Sequence, residues 1–452
     1  MLRASGCAAE AKGAGLQAGL GSAVSSTVTV EKFAEWDWFP SGIAISFEPA
    51  AEQAPLGFEA WRLHTPFDSH LMVWPDGDFD DIIWWRRMLP VGGGGKRWGE
   101  APDLTSATVE QVKGEGGLTF LLTEGGGRKL VARIVPLDEC GHGRALAELS
   151  SSVLSAAIGG IQWKDRDLIL FYRKSGGRKA SDSLSDYISN GEFSMAALIC
   201  HQSGEALGRF HSDALEHLSL PNDERRWNSR LKELEQRVVS NTLWRAPHSS
   251  DTRATTTHRN FGLDSVLIDD DGEVVISNCH DGVPNAILPA SGNYPVLRDV
   301  AAAYRSIAGL GEQHGISRLE EEMLRKEFFE GWFESAPPLV KSSKALDGHR
   351  GGVPIWEYEQ VLEEAACAQA WGKEVPDRGI WWLDHVSRIQ STMYLSRTLS
   401  AGSLVAAICA VAMPFAEQWV HTFSGRMFGA LALAGVAVLL RLLYRMRAPP
   451  PY

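Results

Sequence analysis

The sequence predicts an α+β body with a Trp-rich extension before it and two transmembrane helices after it, and three observations carry this reading. Between residues 107 and 134 the short runs ATVEQV, LTFLLT and KLVARIV alternate apolar and polar positions and are separated by Gly114–Gly117 and Glu124–Gly127, the pattern of an antiparallel meander. From Arg144 onward, segments of helical period dominate, interrupted by the strand-like DLILFYR (Asp167–Arg173) and by a hairpin signal at residues 266–276. Finally, the nineteen residues Thr398–Ala416 carry no charge, enough for a bilayer-crossing helix, and a second uncharged run follows at Met427–Leu440.

Composition narrows the function classes. The 452 residues hold 44 Lys and Arg against 56 Asp and Glu, a net charge of −12, with no long basic block. Nucleic-acid binding depends on neutralising phosphates, so this balance argues against a nucleic-acid partner. The cysteines Cys7, Cys140, Cys200, Cys279, Cys367 and Cys409 show no zinc-ligand or disulfide spacing, which fits a reducing compartment. Residues 1–30 read as a flexible tail: Glu10 and Lys12 interrupt any signal-peptide core, and too few residues precede Cys7 for a lipobox.

Residues 31–100 form a Trp-rich module with seven of the sixteen Trp, irregular or mostly β by pattern. These Trp residues suit either a docking surface or the module's own core. Gly95-Lys96 is not a Walker A loop, because Pro90 and Arg97 occupy positions that need Gly and Ser or Thr. The acidic run Asp76, Asp78, Asp80 and Asp81 lacks the Gly and Glu of a calcium loop.

After the meander, Arg144–Ala157 reads as one helix, then come the strand at 167–173, a helix at Phe193–His211 and a polar helix at Trp227–Val239. Val266–Ile268 and Glu273–Ile276 flank the turn Asp269–Gly272. Trp381, Trp382 and Tyr394 suit either a helix lying along the headgroups before the first span or core packing. Arg388 and Arg397 precede the first apolar run and Arg441, Arg445 and Arg447 close the second, which places both termini on the cytoplasmic side of an integral membrane protein. The alternative is a buried helical hairpin of a soluble core.

Several short motifs occur in a telling order: Gly114, Gly116 and Gly117 in the first turn, Arg133 within Val131-Ala132-Arg133, Glu148 on the following helix, Leu207-Gly208-Arg209-Phe210-His211, then His258-Arg259-Asn260-Phe261-Gly262-Leu263-Asp264-Ser265 before the hairpin, and Arg298-Asp299-Val300-Ala301. This order over residues 107–335 resembles the aminoglycoside phosphotransferase and related small-molecule kinases of the protein-kinase-like fold. The resemblance implies a two-lobed body, with residues 101–178 and 179–340 as its lobes. By composition and charge, 341–397 reads as linker and interfacial helices, 398–444 as the transmembrane hairpin and 445–452 as a basic, Pro-rich tail. It also implies ATP and Mg as cofactors, the nucleotide lying near Gly114, Gly116, Gly117, Arg133 and Glu148.

The sequence departs from that family where chemistry is done. Phosphoryl transfer in this fold uses an Asp base, an Asn and an Asp on magnesium, and a cation on the phosphates. Here Asn260 stands for the base, Ser265 for the metal Asn, and Asn278, or Cys279 in the other alignment, for the metal Asp. An amide cannot take up a proton near neutral pH and lacks the charge that holds a hard cation. The leading expectation is therefore a membrane-anchored, pseudokinase-like scaffold with a protein partner in the same membrane. One alternative is an active ATP-dependent phosphotransferase in which Asp264, Asp281 or Asp299 substitutes; another is a structural subunit of a membrane complex.

Overall fold

The computed structural model describes residues 33, 36 and 38–448, apart from 91–93, 113–117, 138–139, 240–242, 245–251, 260, 270, 281–282, 289–292, 347–349, 351 and 417–421. Strands β1 (Ser46–Pro49), β2 (Phe58–His64) and β3 (Ser69–Pro75) form an antiparallel sheet, followed by helix α1 (Ile82–Met88), whose first turn is capped by Asp81 accepting from the Ile83 amide at 2.9 Å. The aromatic excess is spent inside this module. Trp38 stacks on Trp74 with centroids 5.0 Å apart, Trp85 donates its Nε1 hydrogen to Phe79 O at 2.8 Å, and Trp38, Trp74, Trp84 and Trp85 are all buried. Trp36, Trp61 and Trp98 are half-buried against the same core, so the docking-surface reading of these Trp residues gives way to a packing one.

The module is continuous with a six-stranded antiparallel sheet. Its strands are β4 (Lys96–Gly99), β5 (Thr108–Gln111), β6 (Thr119–Thr123), β7 (Lys129–Ile134), β8 (Gly159–Trp163) and β9 (Arg166–Arg173), in spatial order β4-β8-β9-β7-β6-β5. Phe120 on β6 packs against both Phe79 and Trp85, which fastens the module to this smaller lobe.

Helix α2 spans His142–Glu148 only. The single helix expected over 144–157 ends early because Ser150 turns into the left-handed region at φ 52°, and serines compete with helical hydrogen bonds through their hydroxyls. Ser151 donates to Asp213 Oδ2 at 2.5 Å, and the chain then runs beside residue 276, where Ser155 N donates to Ile276 O at 2.8 Å.

The larger lobe contains β10 (Arg178–Lys179), α3 (Ala180–Ser189), α4 (Phe193–His217), α5 (Glu224–Val238), the hairpin β11 (Val266–Ile268) and β12 (Val274–Ile276), α6 (Leu297–His314), α7 (Arg318–Ser335) and α8 (Val353–Ala370). Helices α4 and α7 touch backbone to backbone at glycines: a Cβ on Gly204 would lie 2.0 Å from Phe328 O, and one on Gly331 would lie 2.1 Å from His201 O. Helix α8 lies within the stretch expected as linker, and it is a core element, with Trp356, Tyr358, Val361 and Leu362 buried.

Helix α9 runs unbroken from Asp377 to Ala412, and α10 spans Phe423–Arg447. The first half of α9 packs on the larger lobe through Trp382, Val386 and Met393. Trp382 donates to Glu357 Oε1 at 3.1 Å, while Trp381 stacks on His385 and lies under the Arg318 guanidinium at 3.7 Å. The expected headgroup position of Trp381 and Trp382 is thus replaced by packing on the body; Tyr394 alone of the three stands exposed. The apolar half of α9 pairs antiparallel with α10, Ser403 Oγ donating to Ala437 O at 3.0 Å. Leu404, Val405, Ile408, Val411, Phe428, Leu431, Val438 and Leu439 face outward, so the pair is not buried within the described part of this chain.

Candidate functional site between the lobes

Period-two alternation along β7 buries Leu130, Ala132 and Ile134 and turns Val131 and Arg133 toward the gap between the lobes. That gap is a cavity of about 490 Å³. Leu121 and Val131 line it from the sheet and Leu267 from the hairpin, while residues 172–175, the end of β9 and the segment that leads on to the larger lobe, line it between them. Ser155 and Ser175 hydrogen-bond at 2.6 Å within that lining, and Tyr172 OH donates to Cys279 O at 3.0 Å, which fixes the segment after β12 beneath the sheet.

The charges facing the cavity are unequal. Arg133, Arg173, Lys174 and Lys179 line it against two carboxylates, Glu110 and Asp264, among the described residues. Arg133 donates to Thr119 Oγ1 at 2.9 Å, which braces the guanidinium at the roof. Glu148, expected near this cation, is instead exposed at the end of α2 and paired with Arg144 at 3.0 Å, because the short helix directs it away from the sheet. Arg173, Lys174 and Lys179 were not singled out in the sequence; the signal available was a run of cations directly after an apolar strand.

The remaining sequence candidates separate cleanly. Asp264 lies in a short 3₁₀ turn (Leu263–Ser265), is exposed, and lines the cavity. Ser265 is buried beneath it, its carbonyl accepting from Ser277 N at 2.6 Å and Ser277 Oγ at 2.9 Å. Asn278 lines the cavity with φ 56°, a left-handed conformation that Asn tolerates better than most residues. Cys279 turns the other way into the core, where burial pushes its thiol up to about 12. Gly114, Gly116, Gly117, Asn260 and Asp281 lie outside the described residues.

Asp299 is committed elsewhere. Its Oδ2 accepts from the His258 amide at 2.7 Å and meets His211 Nε2 at 3.2 Å, and its Oδ1 accepts from the Arg259 amide at 3.2 Å. Trp332 Nε1 donates to His211 Nδ1 at 3.0 Å, which assigns the His211 hydrogen to Nε2, facing the carboxylate. Burial acts to raise the Asp299 pKa, but the hydrogen bond from His211, together with His258, holds it below the ordinary carboxylate value. With both oxygens occupied in a fully buried position, Asp299 props the 258–259 loop from behind and is not a substitute base.

Magnesium does not fit the donors described here. The two carboxylates of the lining come from separate elements, Glu110 from β5 and Asp264 from the 3₁₀ turn, and no group of three or more His, Cys, Asp or Glu is arranged to hold a metal among the described residues. An anionic ligand fits the lining better, since guanidinium and ammonium groups pair with phosphate without a metal.

No family model and no curated protein matches the chain. Among solved structures it is similar to a glucosamine kinase in crystal form B, with 15% identity over 75% of this chain and 95% of that one at a TM-score of 0.49. It is also similar to a glucosamine kinase in complex with glucosamine, ADP and inorganic phosphate (14% identity, 75% and 94% covered, TM-score 0.48) and to an aminoglycoside phosphotransferase from Alicyclobacillus acidocaldarius (11% identity, 76% and 94% covered, TM-score 0.37). At these scores the likeness concerns general arrangement, and the functional reading rests on the chain's own lobes, cavity and charges.

Proposed function

We propose that the chain is a membrane-attached, kinase-like binding protein whose interlobe cavity takes a phosphate-bearing ligand of the ATP type, and that it acts as a regulatory scaffold without metal-assisted phosphoryl transfer. The observation that carries this reading is the lining itself, in which four cations face the cavity; it is supported by the sequence expectation that Asn278, which also lines the cavity, takes the place of a metal-holding carboxylate. Attachment is supported by α9 and α10, which are long, apolar and outward-facing. The expected protein partner in the same membrane belongs to this proposal.

A second reading is favoured by one residue. Asp264 is an exposed carboxylate in the same cavity, so an active phosphotransferase would use it to accept the hydroxyl proton. Thermal unfolding of the full detergent-solubilised chain with ATP, with and without magnesium, separates the possibilities. The scaffold reading expects ATP to stabilise the protein equally in EDTA and in magnesium, with no ADP formed. Absence of any ATP-induced stabilisation sinks nucleotide binding, and ADP formation that disappears in Asp264→Asn establishes the transferase instead.

A further inference from the structure

Charge is distributed very unevenly along this chain. Residues 385–452 contain six arginines and one carboxylate, Glu417, a balance of +5 in a chain of −12; the preceding 384 residues therefore carry −17. The fold gathers most of these arginines in one place. Contacts of Gly402 with Leu440, Ser403 with Ala437 and Gly429 with Met413 fix the antiparallel register of α9 and α10. In that register Arg397 lies level with the turn of α10 that contains Arg441, Tyr444 and Arg445, and Arg447 follows directly.

These four arginines are exposed, and Arg441, Arg445 and Arg447 make no ion pair among the described residues. Arg441 instead lies over the Tyr444 ring at 4.8 Å. From Arg397 to Phe415 the helix rises about 27 Å, close to the roughly 30 Å hydrocarbon thickness of a bilayer. The collar thus stands at headgroup depth, on the side where the acidic body sits.

We infer that this arginine collar is a docking surface for anionic phospholipid headgroups. The inference rests on the membrane reading above and specifies the lipid: a cluster of exposed guanidinium groups complements a headgroup of net negative charge, and a zwitterionic headgroup has none. The collar also offsets the repulsion that an acidic body would meet at an anionic surface. Each arginine at the surface favours anionic over neutral lipid by about 1 kcal/mol, roughly fivefold.

The test uses the full chain, delipidated in detergent, with bound lipid counted by native mass spectrometry during titration with phosphatidylglycerol or phosphatidylcholine. The wild type is expected to bind phosphatidylglycerol preferentially. R441Q/R445Q/R447Q is expected to lose that preference by roughly 100-fold, while R441K/R445K/R447K keeps it. Equal binding of both lipids by the wild type, or an unchanged preference in the glutamine variant, overturns the inference. Displacement of phosphatidylglycerol by millimolar glycerol phosphate overturns it in favour of a soluble phosphate ligand. Carbonate extraction after reconstitution into phosphatidylcholine vesicles keeps the two proposals apart: release of the wild type removes the membrane reading and this inference with it, whereas retention without lipid preference removes this inference alone.

Discussion

His211 and Asp299 meet at 3.2 Å in the centre of the larger lobe, both closed to solvent, and Trp332 closes the chain from the other side of the imidazole. The pair joins α4 to α6 and presents the carboxylate to the amides of His258 and Arg259. Removing the carboxylate in Asp299→Ala leaves two buried amides and an imidazole without their acceptor, so a loss of about 3–5 kcal/mol is expected in urea unfolding at pH 7. Because the folded pKa lies below the unfolded one, the stability Asp299 contributes is present above about pH 4 and fades as pH falls through the folded value. The difference in stability between wild type and Asp299→Asn should therefore shrink toward acid; a constant difference from pH 7 to pH 3 would contradict the assignment.

His142 gives a second pH dependence, nearer neutrality. It is fully enclosed, and burial, with the Arg259 charge, holds its pKa well below the ordinary value. Unfolding lets it bind a proton at about 6.5, so its contribution is complete above that pH and declines below it, by up to about 1.4 kcal/mol per pH unit. Replacement His142→Gln should flatten the stability profile between pH 6.5 and 5 measured by denaturant titration, and an unaltered slope would count against this.

Arg298 binds four partners at once, its Nη1 donating to Arg259 O at 3.4 Å. Its Nε donates to Glu359 Oε1 at 3.1 Å, and Nη2 donates to Glu363 Oε1 at 2.6 Å and Asn285 Oδ1 at 2.9 Å. Arg230 pairs with the same two glutamates, and the Tyr294 ring lies 4.3 Å from the Arg298 guanidinium. The Arg298→Ala variant leaves excess negative charge in the core and should cost about 3–5 kcal/mol by chemical denaturation. A loss under 1 kcal/mol would show that the cluster relaxes without it.

In the cavity, Arg133→Ala is expected to weaken ATP binding at least tenfold by calorimetry, the effect of losing one charge-assisted contact. Asn278→Asp works in the opposite direction. A carboxylate there should make ATP binding magnesium-dependent where the wild type is indifferent to the ion. Wild-type binding that already requires magnesium would show that residues other than those described here hold the metal.

Close helix packing supplies a structural check. Gly204→Ala forces a methyl group into the backbone of α7 at Phe328, and the expected cost is about 1–3 kcal/mol, read as a lower unfolding midpoint.

Elements with strong period were legible in the sequence. The hairpin at residues 266–276, the strand at 167–173 and the helices beginning near Phe193 and Trp227 form where alternation or helical spacing indicates them. The end of α2 was not, because the serines at 150–152 are compatible with a helix locally and leave it only to meet Asp213 and the strand at 276. Buried charge left no local signal either. Nothing in the spacing of Glu357, Glu359 and Glu363 marks them as core residues, yet α8 buries all three against arginines of other helices, and only tertiary partners separated by many residues make that arrangement stable. At the site, Arg133, Asp264 and Asn278 could be picked out by their motif context, whereas the cations Arg173 and Lys174, at and just past the end of β9, and the β10 residue Lys179 have no motif and are found only by seeing which side chains share the cavity.

The continuity of α9 has a mechanical consequence. One half of the helix is clamped to the body by Trp382, Val386 and Met393 and the other half is apolar, with no break between them from Asp377 to Ala412. On the proposed membrane attachment, such a shaft would allow the body to spin about the membrane normal but not to tilt or reach outward as a tethered head would. The mouth of the cavity would then sweep a circle at fixed height, and any macromolecule it meets must arrive by lateral diffusion or present its own flexible arm.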